Sequence, residues 1–159
     1  MRQIRRLDTH SDFPPTGEAL DYPNGLLAVG GELTSRRLLS AYRRGIFPWY
    51  EEPQPVLWWT PDPRSVLFPD ELHLSRSLRK TLRKDAFQLS VDRHFPEVMH
   101  HCAQLRGDGL GTGFVDVILD AYCDLHHIGD AHSVEVYTED GQLVGGLYGI
   151  SMGRAYFGE

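Results

Sequence analysis

The segment SVEVYTEDGQLVGGLYG, residues 133–149, decides the fold class of this sequence. Val134 and Val136 alternate with other side chains, which is the period of two that a strand with one buried face shows. The pair Asp140-Gly141 then supplies a turn, and a second apolar run follows it directly. This pattern predicts an antiparallel β-hairpin, and residues 154–157 predict a further strand after it.

Toward the N-terminus the hydrophobic period becomes helical. Two segments carry apolar residues at spacings of three and four, which predicts two helices with one core-facing stripe each. The two stripes are Phe95, Val98, Met99 and Cys102, and Val115, Ile118, Leu119, Tyr122 and Leu125. A third helix is predicted near residues 75–84, with Ser75 as its N-cap. A fourth is predicted from a cap at Thr34 or Ser35 to a stop at Gly45.

Proline and glycine are concentrated in the first third of the sequence. Pro61 and Pro63 close a rigid, extended segment there, which favours a domain boundary. A chain of 159 residues is long enough for one domain or for two small ones. We therefore expect an α+β protein with a small N-terminal α/β domain over residues 1–64 and a second domain over residues 65–159.

Composition restricts the classes of protein to which the sequence can belong. Hydrophobic residues make up 41% and charged residues 24%, as in ordinary globular proteins. No apolar run approaches the roughly 18 residues that span a bilayer, and the N-terminal residues do not form a secretory signal. Cys102 and Cys123 lie at apolar positions of predicted helices and too far apart for a C-x-x-C motif. We therefore expect buried, reduced thiols and a cytoplasmic location.

One run of cations stands out against a net charge of −6. Its spacing confines it to an arc of roughly 140° on a helix. These residues, here called the basic stripe, are Arg76, Arg79, Lys80, Arg83 and Lys84. Leu74, Leu78 and Leu82 fall on the opposite side, so one face of this helix is expected to be buried. Most charge runs are solvated helix faces, but a stripe without acids in an acidic protein favours phosphate binding.

Three motif matches are expected to carry no chemistry. Gly149–Gly153 fits the G-x-S-x-G pattern of hydrolase nucleophile elbows, but strand-like residues follow it, so we expect a turn between strands. Gln104–Gly109 fits the Q-x-x-G-x-G pattern of loops that bind coenzyme A, but a helix precedes its glycines. The pairs His100-His101 and His126-His127 point about 100° apart on a helix, so no metal site is expected.

Aromatic residues are concentrated in two segments, Gly45–Tyr50 and Leu57–Thr60. They include all three tryptophans of the chain. Core packing is one interpretation. The other is a rigid platform on which nucleic-acid bases stack, because proline-rich loops hold aromatic rings in place. The pattern of residues leaves both interpretations open.

Several of these segments resemble the leucyl/phenylalanyl-tRNA–protein transferases of bacteria. The matching strings follow one another in order over essentially the whole chain. They are Pro23–Gly31, Leu38–Tyr42, Gly45–Trp49, Trp58–Arg64, Leu72–Ser77, Ala131–Glu135 and Val144–Gly149. The most telling is WWTPDPR, residues 58–64, and the set is far more specific than any single motif.

The resemblance implies a fold and a set of site residues. The family's fold is a small α/β domain joined to an acetyltransferase-like (GNAT-like) domain that has lost coenzyme A binding. By this resemblance Trp49, near Tyr42, would stack on the terminal adenosine of the tRNA. Leu147 and Tyr156 would line the pocket for the amino acid side chain, and Glu159 would approach the ester and the incoming amine. The basic stripe would bind the acceptor stem.

The resemblance also implies the reaction. Leucine or phenylalanine, or methionine, would pass from aminoacyl-tRNA to the N-terminal arginine or lysine of acceptor proteins and mark them for degradation. No cofactor or metal is implied, because an aminoacyl ester is already activated and asks chiefly for positioning and oxyanion stabilisation. Two other classes stay open: a coenzyme A-dependent N-acetyltransferase that uses Gln104–Gly109, and a non-catalytic tRNA-binding fragment.

The sequence departs from the family in two places. It has Gly111-Thr112-Gly113-Phe114 where the family usually has Gly-Thr-Trp-Ile, so Gly113 replaces a tryptophan that helps to hold the adenosine. Family members also continue beyond Glu159 with an Asp-x-Gln segment and part of the side-chain pocket. From this comparison we expect the 159-residue chain to bind tRNA but to be weakly active or inactive in transfer.

Overall fold

The structure is a computed structural model that describes residues 3–51, 53–105 and 112–159, without the side chains of Leu105 and of residues 112–115. Within these ranges it contains two four-stranded sheets and four α-helices. The fold class is therefore α+β, as predicted from the two hydrophobic periods. None of the helices described is both long enough and apolar enough to cross a membrane.

The first sheet lies in the N-terminal part of the chain. Its strands are β1 (Arg5–Leu7), β2 (Leu26–Gly30), β3 (Phe47–Pro48) and β4 (Leu57–Trp59), in the order β1-β2-β4-β3. β1 and β2 are parallel, and the other two pairs are antiparallel. Trp58 is fully buried, and its indole nitrogen donates to the carbonyl oxygen of Gly30 at 2.8 Å. Core packing is thus the role of this tryptophan.

Helix α1 (Ser35–Tyr42) packs against β3 and against a helix of the C-terminal part. The hydroxyl of Thr34 caps it by accepting from the amide of Arg37 at 3.3 Å. Gly45 follows its end with a φ of 71°, a conformation that favours glycine. The predicted cap and stop of this helix are therefore confirmed.

The second sheet is an antiparallel meander. Its strands are β5 (Phe87–Val91), β6 (Ala131–Thr138), β7 (Leu143–Met152) and β8 (Ala155–Gly158), in that order. β6 and β7 form the hairpin that residues 133–149 predict, with Gly141 in its turn at a φ of 84°. β8 confirms the further strand. β5 has no counterpart among the predicted elements, because its alternation extends over only five residues.

The remaining helices are α2 (Arg76–Leu82), α3 (Phe95–Leu105) and α4 (Thr112–His127). α3 and α4 pack on one face of the second sheet. The residues that they bury include Phe95, Val98, Met99, Tyr122 and Leu125. Both predicted core-facing stripes are confirmed by these residues, while the side chain of Val115 lies outside the described part of the chain.

The opposite face of the second sheet carries exposed apolar side chains. They are Phe87, Leu89, Val91, Leu147 and Tyr156. The register places Leu89 opposite Val136 and Leu147 opposite Val134, and opposed residues point to the same face. Among the described residues, only one face of this sheet is therefore covered by helices.

Helix α2 confirms its predicted cap but corrects the prediction of a buried side. The hydroxyl of Ser75 accepts from the amide of Leu78 at 3.2 Å. Leu78 and Leu82 are nevertheless 44% and 58% exposed. All residues from 62 to 89 are exposed except Leu74, so no neighbouring element of the described chain covers the leucines.

The two cysteines are free thiols, but they are only half-buried, which corrects the expectation of full burial. Cys123 follows the buried Tyr122 directly, so it points about 100° away from the core. Burial raises the pKa of the Cys123 thiol, and the neighbouring Asp120 and Asp124 raise it further. Cys102 borders an apolar cavity of about 320 Å³ between α3 and β7.

Candidate functional site

Three side chains meet where the two halves of the fold come together. Tyr42 ends α1, Tyr122 lies on α4, and Glu159 directly follows β8. The hydroxyl oxygens of Tyr42 and Tyr122 are 2.6 Å apart, and the Tyr42 hydroxyl donates to Oε1 of Glu159. The two tyrosines are only 1% and 3% exposed. These three residues are here called the hydroxyl–carboxylate chain.

The direction of these hydrogen bonds follows from the number of protons. Each phenol has one proton, and Tyr42 donates its own to the carboxylate, so Tyr122 must donate to Tyr42. Burial raises the pKa of Tyr42 well above its ordinary value, and the neighbouring Tyr122 and Glu159 raise it further. Tyr42 therefore keeps its proton at neutral pH. A carboxylate with a fixed proton donor is held at this junction.

Backbone and ring contacts position the members of this chain. The amide of Glu159 donates to the carbonyl oxygen of Tyr148 at 3.0 Å, which continues the β7–β8 pairing past the end of β8. The ring of Tyr42 packs edge-on against Phe157, with 5.2 Å between centroids, and Tyr122 packs edge-on against Tyr148 at 5.9 Å. The structure thus brings together Tyr42 and Glu159, two of the residues that the resemblance implies.

An open cavity of about 470 Å³ adjoins this chain. Its lining residues are Tyr42, Arg43, Asp130, Ser151, Met152, Gly153, Ala155 and Phe157. Tyr42 belongs both to the lining and to the hydroxyl–carboxylate chain, whereas Tyr122 and Glu159 are not among the lining residues. The cavity has room for an amino acid side chain.

Trp49 lies just beyond β3, in the extended ribbon that β3 forms with β4. Its amide donates to the carbonyl oxygen of Leu57 at 2.9 Å, and its own carbonyl oxygen accepts from the indole of Trp59 at 2.7 Å. Its side chain is 49% exposed. The backbone is thus held on both sides while the ring faces solvent in part.

Leu147 and Tyr156 lie on the open face of the second sheet, 46% and 47% exposed. The Tyr156 hydroxyl donates to the carbonyl oxygen of His132 at 3.2 Å. Its ring lies against Gly149, where a Cβ atom would come within 2.8 Å of Cζ of Tyr156. Burial, and then the charges of Asp92 and Glu159, raise the pKa of Tyr156 to about 12.

The expected pocket residues and Glu159 do not lie on the same face of the sheet. Side chains alternate along β8, so Tyr156 points to the open face while Phe157 points toward Tyr42. Glu159 points to the side of Phe157, since its carboxylate contacts Tyr42. A ligand that touches both Tyr156 and Glu159 must therefore reach around the end of β8.

The basic stripe is exposed along its whole length. Arg76, Arg79 and Lys80 lie within α2, Arg83 is its C-cap residue, and Lys84 follows. No carboxylate of the described residues forms an ion pair with any of the five. These cations are thus available to a polyanion.

The motif matches do not add residues to this site. Ser151 lies within β7, and only Gly153, with a φ of 58°, occupies the turn to β8, so the expected turn is displaced toward the end of the motif. Gln104 lies in α3, but residues 106–111, which include the glycines of Gln104–Gly109, lie outside the described chain, as do the side chains at 112–115. The described residues contain no group of three potential metal ligands.

Two polar features of the site region have no counterpart among the predicted site residues. Tyr122 is predicted only as a core residue, although a buried tyrosine usually needs a partner for its hydroxyl. The second is a pair in which Nδ1 of His132 lies 2.7 Å from Oδ2 of Asp92. Burial alone would raise the pKa of Asp92, but hydrogen bonds from His132 and from the amide of Ser133 hold it below its ordinary value. This pair positions β6 at His132, whose carbonyl oxygen accepts the hydrogen bond from the Tyr156 hydroxyl.

Comparison with known proteins gives matches over most of the chain. Residues 66–159 match the family model of leucyl/phenylalanyl-tRNA protein transferase, and residues 31–62 match the model of its N-terminal domain. Among curated proteins, the leucyl/phenylalanyl-tRNA–protein transferase of Pseudomonas putida (strain W619) is 58% identical over 147 residues, covering 92% of this chain and 65% of the relative.

Two further relatives with the same name show similar values. The protein of Saccharophagus degradans is 54% identical over 160 residues, covering 100% of this chain and 65% of the relative. That of Chromobacterium violaceum is 56% identical over 147 residues, covering 92% of this chain and 63% of the relative. The chain spans about 65% of the length of such relatives. These matches show that the chain belongs to the leucyl/phenylalanyl-tRNA–protein transferase family.

Proposed function

We propose that this chain acts in the cytoplasm in the transfer of leucine, phenylalanine or methionine from aminoacyl-tRNA to the N-terminal arginine or lysine of acceptor proteins. Its family membership supports this reaction. The observation that carries the proposal is the hydroxyl–carboxylate chain, because it fixes a hydrogen-bond donor on the carboxylate of Glu159 and shares Tyr42 with the lining of an open cavity. No activated serine or cysteine nucleophile is needed for this transfer.

The bond changes define what the site has to do. The acceptor's α-amine attacks the ester carbonyl, a C–N bond forms, and the bond from the carbonyl carbon to the ribose oxygen breaks. The amine loses one proton and the ribose oxygen gains one. An α-amine has a pKa of about 7.7–8, so a useful fraction is neutral near pH 7.5. Holding the two reactants together is the larger part of the task.

In this proposal Glu159 orients the amine and receives its proton. Tyr42 remains protonated because of its raised pKa, so it keeps its hydrogen bond to the carboxylate of Glu159. Tyr122 fixes the orientation of Tyr42 through the 2.6 Å contact of the two hydroxyl groups. A carboxylate that is prevented from rotating loses less freedom when the substrate binds.

The exposed residues of the site are assigned to binding the tRNA and the amino acid side chain. Trp49 stacks on the terminal adenosine, and its half-exposed ring supports this. Leu147 and Tyr156 contact the amino acid side chain on the open face of the second sheet. The basic stripe binds the acceptor stem, supported by its exposure and its lack of acidic partners in the described chain.

We also propose that residues 1–64 and 65–159 are separate domains and that the second is acetyltransferase-like. The antiparallel sheet β5–β8 with α3 and α4 on one face supports the second assignment. The proposal predicts no binding of coenzyme A. Titration calorimetry with coenzyme A checks this directly, and micromolar binding would favour an acetyltransferase instead.

The transfer is tested under single-turnover conditions with the protein in excess over tRNA that carries radiolabelled leucine. The acceptor is a short peptide with N-terminal arginine, and its control is the same peptide with an acetylated N-terminus. Label is expected on the free peptide alone. Protein in excess makes even slow transfer measurable.

Matched variants connect the reaction to the site. Glu159→Gln is expected to lower the single-turnover rate by about 100-fold, in the usual range for loss of a positioned acid–base group. Glu139→Gln, in the exposed hairpin turn, serves as the control and should keep the wild-type rate. Equal rates for the two variants contradict the role of Glu159. Absence of label on the free peptide, even with protein in excess, contradicts transfer by this chain alone.

A further inference from the structure

We propose that Arg64 binds a phosphate of the single-stranded 3′ end of the tRNA, next to the ring of Trp49. The inference rests on the proposed function and extends it to a residue that has no assigned role. Arg64 is the last residue of the segment WWTPDPR, and the other assigned cations begin at Arg76, twelve positions farther along the chain.

The contact made by Arg64 leaves its hydrogen-bonding edge available. Cζ of its guanidinium group lies 4.6 Å from the centroid of the Phe47 ring. The residue is exposed, and within the described part of the chain it forms no ion pair or hydrogen bond. A guanidinium group stacked on a ring still directs its N–H donors outward in a planar fork, which suits a phosphate. Its orientation is thus set before any ligand binds.

The position of Phe47 places this cation on the same face of the β3–β4 ribbon as Trp49. The two residues are two apart in an extended segment, and the amide of Trp49 continues the pairing with Leu57 at 2.9 Å. Their side chains therefore point to the same face of the ribbon, with Cα atoms about 7 Å apart. The cation over Phe47 and the half-exposed ring of Trp49 thus share one face of the ribbon.

This combination is what a protein needs to hold a single strand of nucleic acid. The ring stacks on a base, and the cation neutralises the phosphate that joins neighbouring nucleotides. The basic stripe can supply the sequence-independent attraction for the double-stranded stem. Arg64 would act on the unpaired end, so the two groups of cations should respond differently when that end is removed.

The experiment compares an intact tRNA with the same tRNA trimmed of its unpaired 3′ nucleotides. Binding is measured at several salt concentrations for the wild-type chain, Arg64→Ala, Arg64→Lys and Arg5→Ala. Arg5 is an exposed arginine on β1, and the strand order places β1 at the opposite edge of the first sheet from β3. It is therefore a control with the same change of charge.

Arg64→Ala is expected to weaken binding of the intact tRNA by about 3- to 10-fold and to lower the salt slope by about 0.7, the value for one phosphate of a single strand. The trimmed tRNA should bind equally to wild type and Arg64→Ala. Arg64→Lys should retain the salt slope, and Arg5→Ala should resemble the wild type. Melting curves monitored by circular dichroism should show all four proteins folded.

The outcomes separate this inference from the proposed function. If the wild-type chain fails to bind intact tRNA, the proposed function is wrong and the role of Arg64 falls with it. If the wild type binds and Arg64→Ala binds equally well, or loses as much affinity for the trimmed tRNA, only the role of Arg64 is refuted. An equal loss of affinity in Arg5→Ala would also refute the role of Arg64, because the weaker binding would then follow from net charge alone.

Discussion

Replacing Glu135 by glutamine is expected to destabilise the protein strongly, although the two side chains have nearly the same shape. Glu135 lies on β6 and is fully buried. Its carboxylate accepts from the hydroxyl groups of Ser90 and Ser133, each at 2.5 Å. It also accepts from the amides of Arg93 at 3.4 Å and His94 at 3.3 Å, directly before α3 begins.

The magnitude follows from the way these donors are distributed. The amide of Arg93 donates to Oε2 and that of His94 to Oε1, so whichever oxygen becomes an NH₂ group faces a backbone donor that cannot turn away. One charge-assisted hydrogen bond is lost and a buried donor is left without an acceptor, at about 1–3 kcal/mol each. The negative charge at the N-terminus of α3 is lost as well. We expect a loss of about 2–6 kcal/mol, or a melting temperature lower by about 4–24 °C.

The same loss should depend on pH in a defined direction. Burial alone would raise the pKa of Glu135, but the hydrogen bonds from Ser133, Ser90 and the two amides outweigh it and hold this pKa below its ordinary value. A carboxyl group whose folded pKa is lowered stabilises the fold above its unfolded pKa, about 4.3, and this contribution is lost as the pH falls through the folded pKa. The stability difference between wild type and Glu135→Gln should therefore shrink below about pH 4.

Urea unfolding at pH 7 and at pH 3.5, monitored by circular dichroism, measures both quantities. Glu139→Gln is the matched control, since Glu139 is exposed in the hairpin turn, and it should change stability by less than about 0.5 kcal/mol. The reasoning is refuted if the two variants are equally stable at pH 7, or if the deficit of Glu135→Gln is the same at both pH values.

Three further predictions test other parts of the structure. Trp49→Ala should weaken binding of aminoacyl-tRNA by about 1–3 kcal/mol. Its melting temperature should be almost unchanged, because the ring is half-exposed. A large fall in melting temperature without loss of binding would show that Trp49 has a structural role instead. Gly149→Ala should unfold the protein or separate β7 from β8, since its Cβ would lie 2.1 Å from the carbonyl oxygen of Phe157. Gly145→Ala is the control and should be tolerated, because its Cβ meets only Val136 at 3.6 Å. Thermal melts of the two variants measure the difference. Changing the whole basic stripe to alanine should weaken tRNA binding and flatten its salt dependence without loss of helix; an unchanged salt slope would remove the stripe from the interface.

Long periodic segments made most of the second half predictable from the sequence. The hairpin of residues 133–149 and the stripes on α3 and α4 repeat their pattern often enough to define the type of element. The stripes also define the buried side of each helix, but the valines of β6 lie on the open face, and its buried residues are Ser133, Glu135 and Tyr137. The first sheet has no such signal, because its strands contain two to five residues and one ends in Pro48. Leu78 and Leu82 show a second reason for error, since a helical pattern indicates which side is apolar but not whether anything covers it.

The site was predictable only in its parts. Tyr42 and Glu159 are separated by 117 positions, and no periodicity relates residues so far apart. The resemblance names both, and the structure supplies their contact. For Tyr122, its position in a core-facing stripe predicts burial correctly. The spacing does not predict the partner of its hydroxyl group, because that partner lies on α1, in the other half of the chain.

The hydroxyl–carboxylate chain is a costly way to join two halves of a protein. Phenylalanine at the positions of Tyr42 and Tyr122 would fill nearly the same volume without two buried hydroxyl groups, and replacing both partners of a buried hydrogen bond by apolar groups of the same shape can be nearly neutral for stability. A carboxylate next to them adds a desolvation cost of its own. Stability alone therefore does not account for this arrangement. The proposed transfer reaction, which depends on orientation, gives this arrangement a purpose, because the residue that docks α1 against α4 is also the one that holds Glu159.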